Sequence, residues 1–89
     1  MRIKDGFVIN KVGGAYVAVA VGERADEFHA LVRTNGTGAF LWECLTSKDY
    51  TPDSLAEELV KEYGIDKELA LSDTLKFIGL LREGGLLNE

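Results

Sequence analysis

The amino-acid sequence predicts an α+β fold in which a three-stranded antiparallel sheet is followed by three helices. β-branched runs bounded by glycines occupy the first third of the chain, and the second half carries apolar residues at helical spacing. Runs of strands followed by runs of helices indicate helices packed on one face of a small sheet. With 89 residues the chain has room for one core. We therefore predict a single domain over 1–89.

The first two strands are predicted to form a hairpin. From Phe7 the sequence reads FVINKV, then Gly13-Gly14, then AYVAVAV. Two glycines between β-branched runs favour a type I′ turn, since both central residues of that turn need a positive φ. In the second run, valines alternate with smaller residues, which indicates a sheet covered on one side and only lightly on the other. The polar segment Met1–Asp5 is expected to fray.

A third strand is predicted over Phe28–Thr34, FHALVRT. Its residues alternate between two faces, with Ala30, Val32 and Thr34 on one and Leu31 and Arg33, with His29, on the other. The first two strands pair through their tight turn, so the third is placed at an edge of the sheet. An edge strand offers unpaired backbone N–H and C=O groups to another chain.

Three helices are predicted after this strand. Asn35 or Thr37 caps a short, apolar first helix, AFLWECL, in which Trp42 and Cys44 are expected to be buried. Thr51-Pro52-Asp53 opens the second helix, and Gly64 ends it. Asp66 is expected to cap the third helix and Gly84-Gly85 to end it, so that Leu86-Leu87 can fold back onto the core.

The third helix has more apolar surface than one core needs. Its core stripe is predicted to contain Ala70, Thr74, Phe77, Ile78 and Leu81, which recur at helical spacing. Leu71 and Leu75 lie on the flank of that stripe, followed by Gly79 and Arg82, and Leu69 and Leu80 project further round. Such a helix is covered on two sides or binds a partner, and we favour a partner. The other interpretation is that these residues extend the core or form a homodimer contact.

Composition narrows the possible partners and the location. A net charge of −5 disfavours nonspecific attraction to nucleic acid or to an anionic membrane. Cys44 is the single cysteine, so no internal disulfide is expected. Neither a secretory signal nor an apolar run long enough to span a bilayer is evident, and we expect a cytoplasmic protein.

Catalytic and metal-binding patterns are absent from the sequence. The single His29 has no ligand partner at zinc-site spacing, and Cys44 is flanked by apolar helical neighbours. Carboxylate pairs such as Glu57/Glu58 are typical of a solvated helix surface, and the glycines do not form a phosphate-binding loop. We therefore expect no catalytic residue, no metal and no cofactor.

Four blocks in register resemble the PqqD family, the coenzyme PQQ synthesis protein D type. They are FVINKVGGAYVAVAVGE, then NGTGAFLWECL in place of the family's Asn-x-Thr-Gly/Ala-x-x-x-Trp segment, then TPDSLAEELVKEYGID, and LLREGGLL. The resemblance implies a winged-helix-like fold that binds the leader segment of a ribosomally made precursor peptide. It also implies a modifying enzyme as partner, typically a radical S-adenosylmethionine (SAM) protein. The pathway, PQQ or another modified peptide, is left open.

In that family the leader adds as a strand to the third strand and packs against the third helix. Carried onto this chain, the resemblance places peptide-binding residues at Ala30, Leu31, Val32, Arg33, Thr34, Leu71, Leu75, Ile78, Gly79 and Arg82, with Lys76 and Arg82 available to acidic leader residues. Thr34 departs from the larger aliphatic residue usual in the family, and the third helix has leucines where charged residues are common.

Two further interpretations fit the same pattern. A winged-helix DNA-binding or transcriptional adaptor would share the fold, but a recognition helix carries Arg, Lys, Asn or Gln toward base edges. Here only Lys76 and Arg82 qualify on the exposed sides of the third helix. A homodimerisation domain would instead use the apolar flank for a second copy of the chain.

Overall fold

The computed structural model describes residues 1–26 and 32–89, without the side chains of Arg24 and Asp26. Its elements are β1 (Arg2–Ile3), β2 (Phe7–Val12), β3 (Ala15–Ala20), a 3₁₀ helix (Gly22–Asp26), β4 (Val32–Thr34), α1 (Gly36–Ser47), α2 (Pro52–Tyr63), α3 (Lys67–Gly84) and β5 (Leu87–Asn88). An antiparallel sheet in the order β2-β3-β4 precedes three helices, which confirms the predicted α+β fold. The predicted third strand is described only from Val32 onward.

The β2–β3 hairpin is confirmed, but its turn differs from the prediction. Val12 pairs with Ala15 across the two-residue loop. Gly13 has a φ of +62°, whereas Gly14 does not have a positive φ. A positive φ at the first central residue alone belongs to a type II′ turn, so the predicted type I′ turn is wrong. Both turns match the twist of paired strands, and a Gly-Gly pair is compatible with either.

The helices cover the side of the sheet that carries the smaller residues. Ala18 is 1% exposed and pairs with the buried Val32. On the opposite side, neighbouring strands carry valines, and Val8 pairs directly with Val19. We call this side the valine face; it consists of Val8, Val12, Val17 and Val19, with Asn10 and Ala15 among them, and is extended by Val21. The predicted one-sided cover is therefore present, with the valines on the uncovered side.

The N-terminal segment does not fray as predicted. β1 pairs with β5, and Ile3 is buried. The backbone N–H of Tyr50 donates to the carbonyl oxygen of Met1 at 2.9 Å, and the Met1 nitrogen donates to the Tyr50 carbonyl oxygen at the same distance. A two-residue strand whose partner lies at the other end of the chain leaves no local sequence pattern. The predicted return of Leu86 and Leu87 onto the core is confirmed by their burial.

Two of the three helices begin with a residue whose side-chain oxygen caps the helix. Asn35 Oδ1 accepts from the Gly38 N–H at 3.0 Å, which confirms Asn35 as the cap of α1. Thr51 and Ser54 form a reciprocal capping box at α2. Asp66 precedes α3 as predicted, but its side chain makes no capping hydrogen bond, so that part of the prediction is wrong.

Glycines in the left-handed conformation end α2 and α3, as predicted. Gly64 and Gly85 have φ values of +65° and +74°. After α3, the Gly85 N–H donates to the Arg82 carbonyl and the Leu86 N–H to the Leu81 carbonyl. This is the Schellman pattern, which turns the chain and sends Leu86 into the core.

The core lies between the covered side of the sheet and the three helices. Trp42 is 3% exposed, and the predicted stripe of α3 is buried throughout: Ala70, Thr74, Phe77, Ile78 and Leu81. Among the helices of the described residues, none is long and apolar enough to cross a membrane. The predicted core stripe of α3 is thus confirmed, and the side chains available to a partner lie on the flanks of this helix.

Thr74 is the polar member of that stripe. Its hydroxyl is buried, and within the described residues it has no hydrogen-bond partner. A buried hydroxyl without a partner loses its hydration and gains nothing in return. We expect Thr74→Val to raise the free energy of unfolding by about 1 kcal/mol in urea titrations. Lower stability in the valine variant would show that the hydroxyl has a partner.

Candidate functional site

Strand β4 has one edge that no described strand covers. Its other edge pairs with β3 in the register Tyr16↔Thr34, Val17↔Arg33 and Ala18↔Val32. β4 is also the last strand in the order β2-β3-β4. Its outer backbone groups therefore remain available to an added strand. This agrees with the edge position expected from the sequence.

A cavity of about 220 Å³ lies between the end of β4, the start of α1 and one side of α3. We call it the β4–α3 cavity. Its lining combines an apolar part with a polar rim and consists of Thr34, Asn35, Thr37, Gly38, Leu41, Asp73, Lys76, Phe77 and Leu80. Leu41 and Phe77 are buried, whereas Leu80 is 46% exposed. Lys76 and Asp73 supply one positive and one negative charge at the rim.

The same side of α3 contacts β4 further along the helix. A Cβ atom built on Gly84 would lie 3.5 Å from Val32 Cγ2. At about 100° per residue, Phe77, Leu80 and Gly84 form one stripe along the helix. Two separate observations therefore show that this stripe of α3 is turned toward β4.

The flank predicted on α3 lies on the other side of the helix. Leu75 is about 140° round the axis from Leu80, and it is 49% exposed. Leu71 is partly buried against the core. Neither they nor Gly79 nor Arg82 lines the β4–α3 cavity. Of the peptide-binding residues predicted on α3, only Lys76 lines the β4–α3 cavity.

Ile78 was predicted both in the core stripe and in the groove, and the structure supports the first position. Its side chain is 1% exposed. A side chain without accessible surface cannot contact a peptide unless the core opens. The assignment of Ile78 to the groove is therefore corrected, because at this angle the helix turns it inward.

Arg82 is engaged within the chain. Its Nη2 donates to Glu89 Oε1 at 2.6 Å and its Nε to Glu89 Oε2 at 3.0 Å. This two-point hydrogen bond lowers the pKa of the Glu89 carboxyl and raises the pKa of Arg82. An acidic group of a peptide would have to displace Glu89 to pair with this guanidinium.

The predicted strand residues occupy different positions. Val32 is buried and Thr34 lines the β4–α3 cavity. Arg33 is exposed and pairs with Val17, so it belongs to the valine face, on the far side of the sheet from α3. Ala30 and Leu31 lie outside the described residues. Of the three described residues of this strand, Thr34 alone lines the cavity.

Sequence reasoning missed seven of the nine residues that line the cavity as site residues: Asn35, Thr37, Gly38, Leu41, Asp73, Phe77 and Leu80. Phe77 was assigned to the core alone, and Leu80 was noted only as projecting round the helix. The spacing of Asp73, Phe77 and Leu80 indicates that they share a side. Nothing in that spacing says which side of α3 is next to the strand.

The surroundings of Cys44, the one cysteine of the chain, are unfavourable for a nucleophile. Burial raises the pKa of the Cys44 thiol, with the Glu58 charge adding to the effect, which disfavours a nucleophilic thiolate. No group of three or more His, Cys, Asp or Glu residues within the described part of the chain could hold a metal ion. The arrangement is suited to recognising an extended chain.

A sequence model of the family described as Coenzyme PQQ synthesis protein D (PqqD) matches residues 8–87. This chain belongs to the PqqD family. The resemblance found in the four sequence blocks is thereby confirmed. None of the curated proteins compared with the chain is significantly similar to it in sequence.

Two solved structures share the fold of this PqqD-family chain. One is TbiB1 in complex with the TbiA(beta) leader peptide, with a TM-score of 0.70 and 19% identity, covering 99% of this chain and 95% of that one. The other is lasso peptide synthetase B1 complexed with the leader peptide, with a TM-score of 0.68 and 19% identity, covering 99% and 96%. At this identity the likeness shows the fold alone.

The cavity depends on a close approach of α1 to β4. A Cβ atom added at Gly38 would overlap the Thr34 hydroxyl and lie 2.8 Å from Thr34 Cβ. We expect Gly38→Ala to lower the free energy of unfolding by about 1–3 kcal/mol, since backbone must move to make room. Chemical denaturation measures this difference.

Gly36→Ala is the matched control on the same helix turn, because nothing lies within 4 Å of a Cβ built there. Thr34→Ala should recover part of the stability lost in Gly38→Ala. Equal effects of alanine at 36 and 38 would contradict the close packing of Thr34 and Gly38.

Proposed function

We propose that this PqqD-family chain binds the leader segment of a ribosomally made precursor peptide and presents it to a modifying enzyme, without catalysing the modification itself. The proposal rests on the free edge of β4 beside the β4–α3 cavity. Both similar solved structures are described as complexes with a leader peptide. The family membership supports the same role.

The binding mode we propose is strand addition to β4. Backbone groups of an extended peptide pair with the outer edge of β4, and its alternate side chains point toward α3. The β4–α3 cavity is large enough for one bulky side chain, with Leu41 and Phe77 as apolar contacts. Backbone pairing supplies affinity for many sequences, so this side chain supplies the selectivity.

Exposed leucines continue the apolar surface along α3. Leu69 and Leu80 are 52% and 46% exposed and lie on the cavity side of the helix. Eleven residues separate them, a rise of about 16 Å along the axis. An extended peptide covers that length with about five residues. We propose that apolar leader residues at both ends of such a segment contact Leu69 and Leu80.

The modifying partner we propose is a radical SAM enzyme. Family membership is the support for this choice. The chain has the role of a separate recognition module, so the enzyme gains substrate specificity without building a leader site of its own.

Nuclear magnetic resonance (NMR) titration tests the proposed site. The ¹⁵N-labelled chain is titrated with the precursor peptide encoded beside its gene, and a scrambled leader is the control. We expect amide shifts concentrated at Val32–Thr34 and Asp73–Leu80. Shifts confined to other segments, or none with the authentic precursor, would contradict leader binding at β4.

A pair of aspartate variants determines which flank of α3 meets the peptide. Leu80 and Leu75 are exposed to a similar degree on opposite sides of the helix. We expect Leu80→Asp to weaken leader binding at least tenfold in calorimetry, because a carboxylate replaces an apolar contact. Leu75→Asp should change the dissociation constant by less than about twofold.

Both aspartate variants should retain the wild-type circular dichroism spectrum, because neither side chain belongs to the core. The reverse ranking, with Leu75→Asp the weaker binder, would restore the flank predicted from the sequence. A variant that unfolds would show that its leucine is structural.

A further inference from the structure

The valine face is an apolar surface that the helices leave uncovered. Val8, Val12 and Val21 are 39%, 60% and 41% exposed. Val17 and Val19 lie between them and are partly exposed. Such a surface on the outside of a sheet is unfavourable in water and is typical of a protein contact site. The three α-helices pack on the other side of the sheet.

The charges around the face favour a partner that is not a second copy. β2, β3 and β4 contain no carboxylate, whereas Arg33 projects from the valine face; Lys11, the other cation of these strands, lies with Tyr16 on the opposite side of the sheet. Residues 36–89 instead carry eleven acidic and five basic residues. Two valine faces packed together would leave Arg33 without a carboxylate from the strands of the second copy. The complementary surface has an apolar centre and carboxylates at its edge.

The valine face also continues to the edge of β4. A peptide strand added there would follow the alternation of the sheet, with every second side chain on the side of Arg33 and Val17. These side chains would lie beside the valines and enlarge the surface. The loaded chain therefore presents a surface that the empty chain does not have.

We propose that the valine face is the docking surface for the enzyme that modifies the peptide, and that the bound leader completes this surface. The enzyme contributes an apolar patch edged by carboxylates, one of which pairs with Arg33. The contribution of the leader rests on the proposed function, whereas the docking of the enzyme on the valines can be tested without peptide.

Two variants and two controls test the docking surface. Val8→Glu places a carboxylate among the valines, and Arg33→Glu reverses the charge at the edge. Tyr63→Glu is the control for an exposed apolar side chain, 48% exposed on α2, and Lys61→Glu is the control for charge reversal. Calorimetry measures leader affinity, and biolayer interferometry measures affinity for the purified enzyme encoded beside the chain, with and without leader.

We expect Val8→Glu and Arg33→Glu to weaken enzyme binding at least tenfold, while both controls remain within about twofold of wild type. Val8→Glu should keep the leader affinity of the wild-type chain, and leader should increase the enzyme affinity of the wild type. Unchanged enzyme binding by Val8→Glu would overturn the proposal. So would a wild-type dimer in sedimentation that Val8→Glu converts to monomer, since the occupant would then be a second copy.

Failure of leader binding by the wild type would refute the proposed function alone. Enzyme binding measured without leader would still test the docking surface. Loss of enzyme binding in Val8→Glu would support the proposed surface, and unchanged binding would exclude it.

Discussion

The close approach of two helices to β4 is the contact on which the rest of the site depends. Gly38 lets α1 pack against Thr34, and Gly84 lets α3 pass beside Val32 and Leu86. A three-residue strand has little pairing of its own to keep it in place. Held by α1 at Thr34 and by α3 at Val32, β4 keeps a fixed separation from α3, and that separation defines the cavity.

Local features of the fold could be read from the sequence because their causes are local. The caps of α1 and α2 and the left-handed glycines at 64 and 85 act within a few residues of their own position. The pairing of β1 with β5 joins opposite ends of the chain, and neither segment carries a distinctive pattern. For the same reason, helical spacing identified Leu75 and Leu80 as exposed but not which of them faces β4. That choice depends on how α3 crosses the sheet.

The β4–α3 cavity and the valine face differ in polarity and therefore suit different kinds of contact. The cavity beside β4 mixes apolar side chains with Asp73 and Lys76, as suits selection among similar peptides. The valine face is mostly apolar, with Asn10 and Arg33 as polar members, and suits a larger protein surface. In the proposed strand addition, backbone groups supply the affinity, and selectivity resides in a few side chains of α3.

The pairing of Arg2 with Asn88 brings the two ends of the described chain to one corner of the domain. A flexible tether attached at either end would therefore start from nearly the same point. If the proposed enzyme were fused to the chain, its effective concentration at the proposed peptide site would depend on tether length much more than on gene order. A domain with adjacent ends could precede or follow such a partner in a single polypeptide without redesign of the contact between them.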